Sequence, residues 1–497
     1  MNLLRSMLVT VALAGCATLE RPFSDHLGSE AIATRDCAAW FAALDEAVDS
    51  AGVRDSQEAR IAGFPYLRAN RFLGALKHRA GTDAGLQAFA LRLAALDYDA
   101  RKAEIANLPD DRFGTLPALL ATGSRSEAVT RTRQCAHLLR EVDVAKPDTG
   151  ELLRGRVEVP DDYSVTMRVA GLYALTRYPV AAGVRRWESE TGAAFATAPD
   201  AKLPIVRYAP PPPAQPRSRE AIARLLAASA ANPLDIPEPA PQDLVDLLAA
   251  YAPSFEVEVA GDYDRFGQLR WLRERRTPTV DAAEQVVYAH TSHTLYQGHP
   301  LLQFVYTIWF SERPPREAGD ILAGILDGLT WRVTLAPDGE PLVYDTIHPC
   351  GCYHMFFPTP RARVRPAPDA IEEWAFSPQQ LPRVQAGERP VLRVASGTHY
   401  IERVSFVQGM DSVARYELRD YAELRSLQRL EGGSRSAFGA DGLIPGTERP
   451  ERSLLWAMGI HSAGAMRQWG RHATAFVGRR HFDDPDLFEQ RFEFDLR

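Results

Sequence analysis

Four consecutive prolines, Pro210-Pro211-Pro212-Pro213, are followed by Pro233, Pro237, Pro239 and Pro241. Such a stretch has few N–H groups to give to a helix or a central strand and prefers extended polyproline geometry, so it divides the chain. The spacing predicts a semi-rigid linker over 204–253 with one short helix between the proline groups, at Arg219–Ala230. At 497 residues, with 45% hydrophobic and 24% charged side chains, the protein is expected to fold as two or three domains.

On the N-terminal side of that divide the hydrophobic period is helical. Cys37, Trp40, Phe41, Leu44 and Val48 share one face of a 3.6-residue repeat, and further helices are expected over Tyr66–His78, Leu86–Ile105 and Ser126–Val142. Beyond Val257 the period becomes two. Trp331, Val333 and Leu335 alternate with Arg332 and Thr334, and Pro337-Asp338-Gly339 supplies a turn before Leu342–Ile347. Similar hairpins are predicted for Gln285–His290 with Leu301–Phe310, and for Val391–Ala395 with Tyr400–Phe406. A strand over Val413–Leu418, a helix near Ala318–Leu326 and an edge strand through Phe492, Phe494 and Leu496 complete the reading. The fold class is therefore α+β: an α-helical region over 31–203, then a domain over 254–497 with a mainly antiparallel sheet.

Charge and hydropathy exclude some functions. The net charge is −7, and no cluster of Lys and Arg with interleaved aromatics is present, so nucleic acid is not an expected partner. The apolar run Met7–Ala14, preceded by Arg5, is too short for a hydrocarbon core that needs about 20 residues, and reads as an export signal over 1–15. Further on, the longest apolar stretch, Leu301–Phe310, is interrupted by Gln303 and Thr307.

The signal ends in Leu13-Ala14-Gly15-Cys16, which resembles the lipobox of bacterial lipoproteins. The resemblance covers residues 1–16 alone. It implies a lipid on Cys16, a tether over 16–30, and a place in the cell envelope with the membrane as partner. Ala17 in place of aspartate favours the outer membrane, facing the periplasm. Two or more acyl chains give a stable anchor where one does not.

Four cysteines remain. An exported compartment is oxidising, so Cys37 and Cys135, in separate helical segments, are expected to form a disulfide. Cys350 and Cys352 lie in His348-Pro349-Cys350-Gly351-Cys352-Tyr353-His354, the densest set of nitrogen and sulfur donors in the chain. In extended backbone His348, Cys350, Cys352 and His354 point the same way, but a straight run would hold the two histidines roughly 20 Å apart. One shared site needs a bend, which Gly351 can supply, or completion by His293 or His399 from elsewhere. These residue types suit a Zn or Cu ion. The expected function is a cell-envelope lipoprotein with a candidate transition-metal site, its catalytic role open. The alternative is a non-catalytic binding or assembly lipoprotein with a Cys350–Cys352 disulfide. The small-molecule or protein partner is not specified by the sequence. Serine hydrolysis is disfavoured, since Gly459-Ile460-His461-Ser462-Ala463-Gly464 has Ile460 where GxSxG requires glycine. Thioredoxin-like chemistry is disfavoured because the pair is CxC without a βαβ context.

Overall fold

A computed structural model describes residues 21–114, 116, 123–197, 203–273, 275–369, 371–410 and 413–496. The fold class is α+β, with helices first and sheets after. The leader and Cys16 lie outside the described residues.

Three long helices frame the N-terminal region: Ile32–Ala51, Asp83–Asn107 and Arg125–Val144. Each starts and stops for local reasons. Thr82 caps the second through its side chain, Ser124 and Glu127 form a capping box on the third, and Gly52 ends the first in the left-handed conformation. Their apolar faces meet in a core containing Trp40, Phe41, Leu44, Phe89, Leu93 and Leu139, and Cys37 is joined to Cys135 within it. The expected helix over Tyr66–His78 is instead a strand, Phe64–Ala69, followed by the short helix Arg71–Leu76 capped by Asn70. Phe64, Tyr66 and Leu67 all face that core, and burial of this set overrides helix propensity. The expected tether is also partly folded. Phe23–Leu27 is a short helix whose His26 is buried and bonded to Asp143 at 2.9 Å.

The proline-rich stretch is not a spacer. Ile205–Ala209 is a strand paired antiparallel with Ser254–Glu258, and two helices follow, Arg219–Ser229 and Pro241–Tyr251, rather than one. Leu234 and Ile236, between them, are buried in the helical core. The prolines sit where N–H groups are dispensable: Pro210–Pro213 just past a strand end, Pro241 at the first turn of a helix.

The C-terminal region is built on two sheets. In the larger, six strands run in the order Met355–Pro358, Pro341–Ile347, Gly324–Leu335, His299–Arg313, Val286–Tyr296 and Glu417–Asp420. All neighbours are antiparallel except the last pair. The second sheet orders Ile401–Val407, Arg389–Val394, Ser254–Glu258, Ile205–Ala209 and Ala414–Arg415, with two parallel pairs among the four. Phe304, Tyr306, Trp331 and Val333 of the first sheet share one core with Phe255, Val257, Leu392 and Val394 of the second, as in a sandwich. The three hairpins read from the sequence are present. The expected helix near Ala318–Leu326 is not: that stretch is turn, running into the strand that starts at Gly324. Phe492–Phe494 pairs with Ala362–Val364, as an edge strand. Among the described residues, no helix is long and apolar enough to cross a membrane.

Candidate thiol and imidazole site

The turn after Pro341–Ile347 carries the donor-rich segment, and it bends sharply. The His348 N–H donates to the Cys352 carbonyl at 3.0 Å and the Gly351 N–H to the His348 carbonyl at 2.8 Å. Gly351 makes this possible with φ +91, and a Cβ there would stand 2.4 Å from the Ala473 carbonyl oxygen. Gly328 serves the same end from the neighbouring strand. A side chain on it would meet Pro349 at 2.9 Å, so its absence lets the turn fold down over the sheet.

Beneath the turn lies Asp327, fully buried on the strand Gly324–Leu335. One carboxylate oxygen accepts from His348 Nδ1 at 3.1 Å and faces Arg449 at 3.4 Å, and the other accepts from His399 Nδ1 at 2.9 Å. On its far side His399 Nε2 stands 3.4 Å from Asp264, which accepts in turn from Ser396 and the Gly397 N–H. The result is a buried chain, Asp264, His399, Asp327, His348. Burial resists ionisation of Asp327, but His348 and Arg449 outweigh it and hold the carboxyl well below its ordinary value. Burial also disfavours the charged form of His399, yet Asp264 and Asp327 on either side raise it above the usual histidine range. At His348 burial prevails and the shift is downward. His399 is completely buried and stacked on Phe310 with centroids 3.9 Å apart.

Cys350 and Cys352 are both free and buried, not joined. The Cys352 N–H points at Cys350 Sγ at 3.4 Å, and the two thiols also contact each other. A hydrogen bond from Cys352, helped by Arg449, draws Cys350 below the ordinary thiol value. The same bond, with burial, pushes Cys352 well up. The arrangement stabilises one thiolate of the pair, at Cys350.

The other donors named from the sequence are elsewhere. His354 Nε2 donates to the Asp345 carboxylate at 2.9 Å, beside Arg332, and its ring stacks on Phe356. Burial holds it at about 3, so it is neutral. His293 contacts the Pro237 carbonyl at 2.9 Å and stacks on Phe72, with burial depressing it to about 4. Thus the structure brings His348 and His399 together through Asp327, ties His354 to Asp345 although it lines the same cavity as Cys352, and leaves His293 in separate surroundings. Among the described residues no group of three or more His, Cys, Asp or Glu side chains is arranged to hold a metal ion.

Above the turn is a cavity of about 400 Å³. Cys352, Tyr353 and Tyr400 form part of its lining, and Val184 and Trp187 of the helix Tyr173–Ala196 cover it. Trp187 contacts both tyrosines and Phe376. Arg313 packs over the two tyrosine rings and donates to the Tyr400 hydroxyl at 3.1 Å. Three carboxyls on the lining, Glu188, Glu373 and Glu451, are each raised by burial, the mark of a poorly hydrated space. Sequence reasoning missed Asp327 as the organiser. Its signal was an acid inside the apolar run Ile325-Leu326-Asp327-Gly328-Leu329, which a solvated helix cap does not need. Compared with family models, with curated proteins and with solved structures, the chain finds no match.

Proposed function

We propose that the chain is a lipid-anchored cell-envelope protein that binds a small, mostly apolar ligand above Cys352, with the Cys350 and Cys352 thiols as its reactive group. The observation that carries this reading is the cavity itself. Aromatic and aliphatic side chains such as Val180, Val184, Trp187 and Leu454 wall a space of ligand size, the charged groups Glu188, Glu373, Glu451 and Arg480 reach it at its margins, and Cys352 brings a thiol to it. Underneath, Asp327 is held by His348, His399 and Arg449, and this fixes the turn that carries the thiols. The anchor rests on Leu13-Ala14-Gly15-Cys16, and the placement at the outer membrane on Ala17. The test is binding of a naphthalene-sulfonate dye with alkylation of Cys352 followed by peptide mass spectrometry. One dye should bind per chain and slow the alkylation, and Val184→Trp should fill the space and abolish both effects. Dye binding and alkylation indifferent to Val184→Trp would overturn the assignment.

A second reading is supported by the contact between the thiols. Two adjacent sulfurs beside Arg449 offer a soft cation, Cu(I) or Zn, a two-thiolate seat, whereas His293 and His354 lie in other networks. Metal analysis of untagged protein checks it: content should fall to background in Cys352→Ala. The same pair closed as a disulfide would instead make the pocket a purely non-catalytic binding site.

A further inference from the structure

The helix that roofs the cavity is apolar on both sides. Its inner face carries Val180, Ala181, Val184, Trp187 and Phe195, of which only Ala181 and Phe195 are fully buried. At 100° per residue, Leu172, Leu175, Tyr178, Ala182 and Arg186 fall on the opposite face. Leu172 and Leu175 are 63% and 67% exposed there. The short helix before it, Val165–Ala170, buries nothing and exposes Val165 and Val169. Both helices pack on the turn Trp456–Met458, which brings the exposed Leu454 and Trp456 alongside. Leu454 also lines the cavity. The exposed apolar surface is therefore continuous with the cavity mouth, and a patch of this kind marks an interaction site.

We infer that this face lies on an anionic membrane surface, so that the cavity opens at the lipid interface and takes an acyl chain. Charge favours that occupant. Arg185 and Arg186 are exposed at the end of the apolar stripe, Arg316 is exposed on the cavity lining, 3.9 Å from Asp320, and Arg452 is exposed two residues before Leu454. Glu188 and Glu190 are the carboxylates on the same helix, and they line the cavity. An amphipathic surface flanked by arginines is what interfacial binding to anionic lipid requires. The chain path is compatible. Arg156 holds the Arg21 carbonyl, and Val165 follows nine residues later, at most about 30 Å of extended chain. From Arg21, Cys16 lies within about 17 Å of extended chain. The acyl-chain ligand rests on the pocket reading above, whereas the docking face stands on its own exposure and charge.

The experiment removes the lipid anchor and keeps the patch. Cys16→Ala turns Leu13-Ala14-Gly15-Cys16 into Ala-Gly-Ala at the cleavage site, which suits ordinary secretion, and intact mass confirms processing. This chain should co-float with phosphatidylglycerol vesicles and far less with phosphatidylcholine vesicles. Leu172→Glu with Leu175→Glu should weaken flotation at least tenfold with an unchanged circular dichroism spectrum. Arg185→Gln and Arg186→Gln should each weaken it on the order of fivefold on anionic vesicles alone. Leu91→Glu, an exposed leucine on a different helix, should leave it unchanged. The inference falls if the Cys16→Ala chain does not float, or if light scattering shows a dimer that Leu172→Glu dissolves, since a second copy then covers the face. A wild-type mass without acyl chains would overturn the anchor alone. A filled pocket, Val184→Trp, that abolishes dye binding but not flotation separates the docking face from the ligand site.

Discussion

Replacing Asp327 by Asn removes one charge and one acceptor from the centre of the site. The carboxylate satisfies His348 Nδ1 and His399 Nδ1 on separate oxygens and balances Arg449. An amide retains one accepting oxygen and turns an N–H₂ toward the other imidazole. One buried donor loses its partner, at about 1–3 kcal/mol. Arg449, 1% exposed at its side chain, loses its counter-ion as well. Removing one member of a buried ionic network costs about 3–5 kcal/mol in total, and that is the expected loss. Guanidinium unfolding followed by tryptophan fluorescence reads it, because Trp309 and Trp331 are buried on the strands around Asp327. The pH dependence gives an independent check. A carboxyl held below its unfolded value of about 3.9 contributes stability that is complete above that pH and is lost as pH falls through the lower folded value. Asp327→Asn should therefore flatten the acid limb of the stability curve. Adding His348→Phe to Asp327→Asn should cost less than His348→Phe alone, since the shared bond is already gone. A loss under about 1 kcal/mol, or strict additivity of the two changes, would refute the claim that Asp327 organises the site.

Gly351→Ala should destabilise by about 2 kcal/mol or more, the left-handed conformation and the approach to the Ala473 carbonyl acting together, and should speed Cys352 alkylation as the turn opens. Cys37→Ser with Cys135→Ser should lower stability by at most about 4.7 kcal/mol, the chain-entropy value for a loop near 100 residues, as measured by denaturation with and without reductant. His481 is buried between Asp161 and Asp484. Burial works against its protonation, but the hydrogen bonds prevail and hold it at about 8. Its contribution of about 2 kcal/mol should be complete below pH about 6.5 and lost as pH rises through 8, and His481→Gln should abolish that slope in thermal scans from pH 6 to 9.

The periodic elements were legible because their large apolar side chains keep to one face, even where, as at Arg332 and Thr334, the polar face is buried too. Trp40, Phe41 and Leu44 on a helix, and Trp331, Val333 and Leu335 on a strand, repeat with the geometry of the element that carries them. An element whose apolar side chains point to both faces gave no such pattern. In Phe64–Ala69 five of six residues are buried, and the run imitates helix composition. The proline-rich stretch misled for a different reason. Proline forbids N–H donation, not burial, so Ile205–Ala209 can still pair through residues ahead of the prolines and Leu234 and Ile236 can still fill a core.

The site was half legible for a reason rooted in charge. His348, Cys350 and Cys352 advertise chemistry by type and spacing, but what sets their states is Asp327, Arg449 and His399, drawn from three distant segments. Spacing conveys which side chains share a turn. It conveys nothing about which acid from another strand lies beneath them, and that acid decides whether an imidazole is a free donor or one already bound. His348 and His399 each commit a ring nitrogen to Asp327, and of the four donors in the motif Cys352 and His354 are the ones on the cavity wall. Cys352 reaches the cavity while Cys350 carries the more acidic thiol. The thiol on the cavity wall is thus the one held protonated, by its hydrogen bond to Cys350 and by burial, and the sulfur whose thiolate is favoured lies behind it.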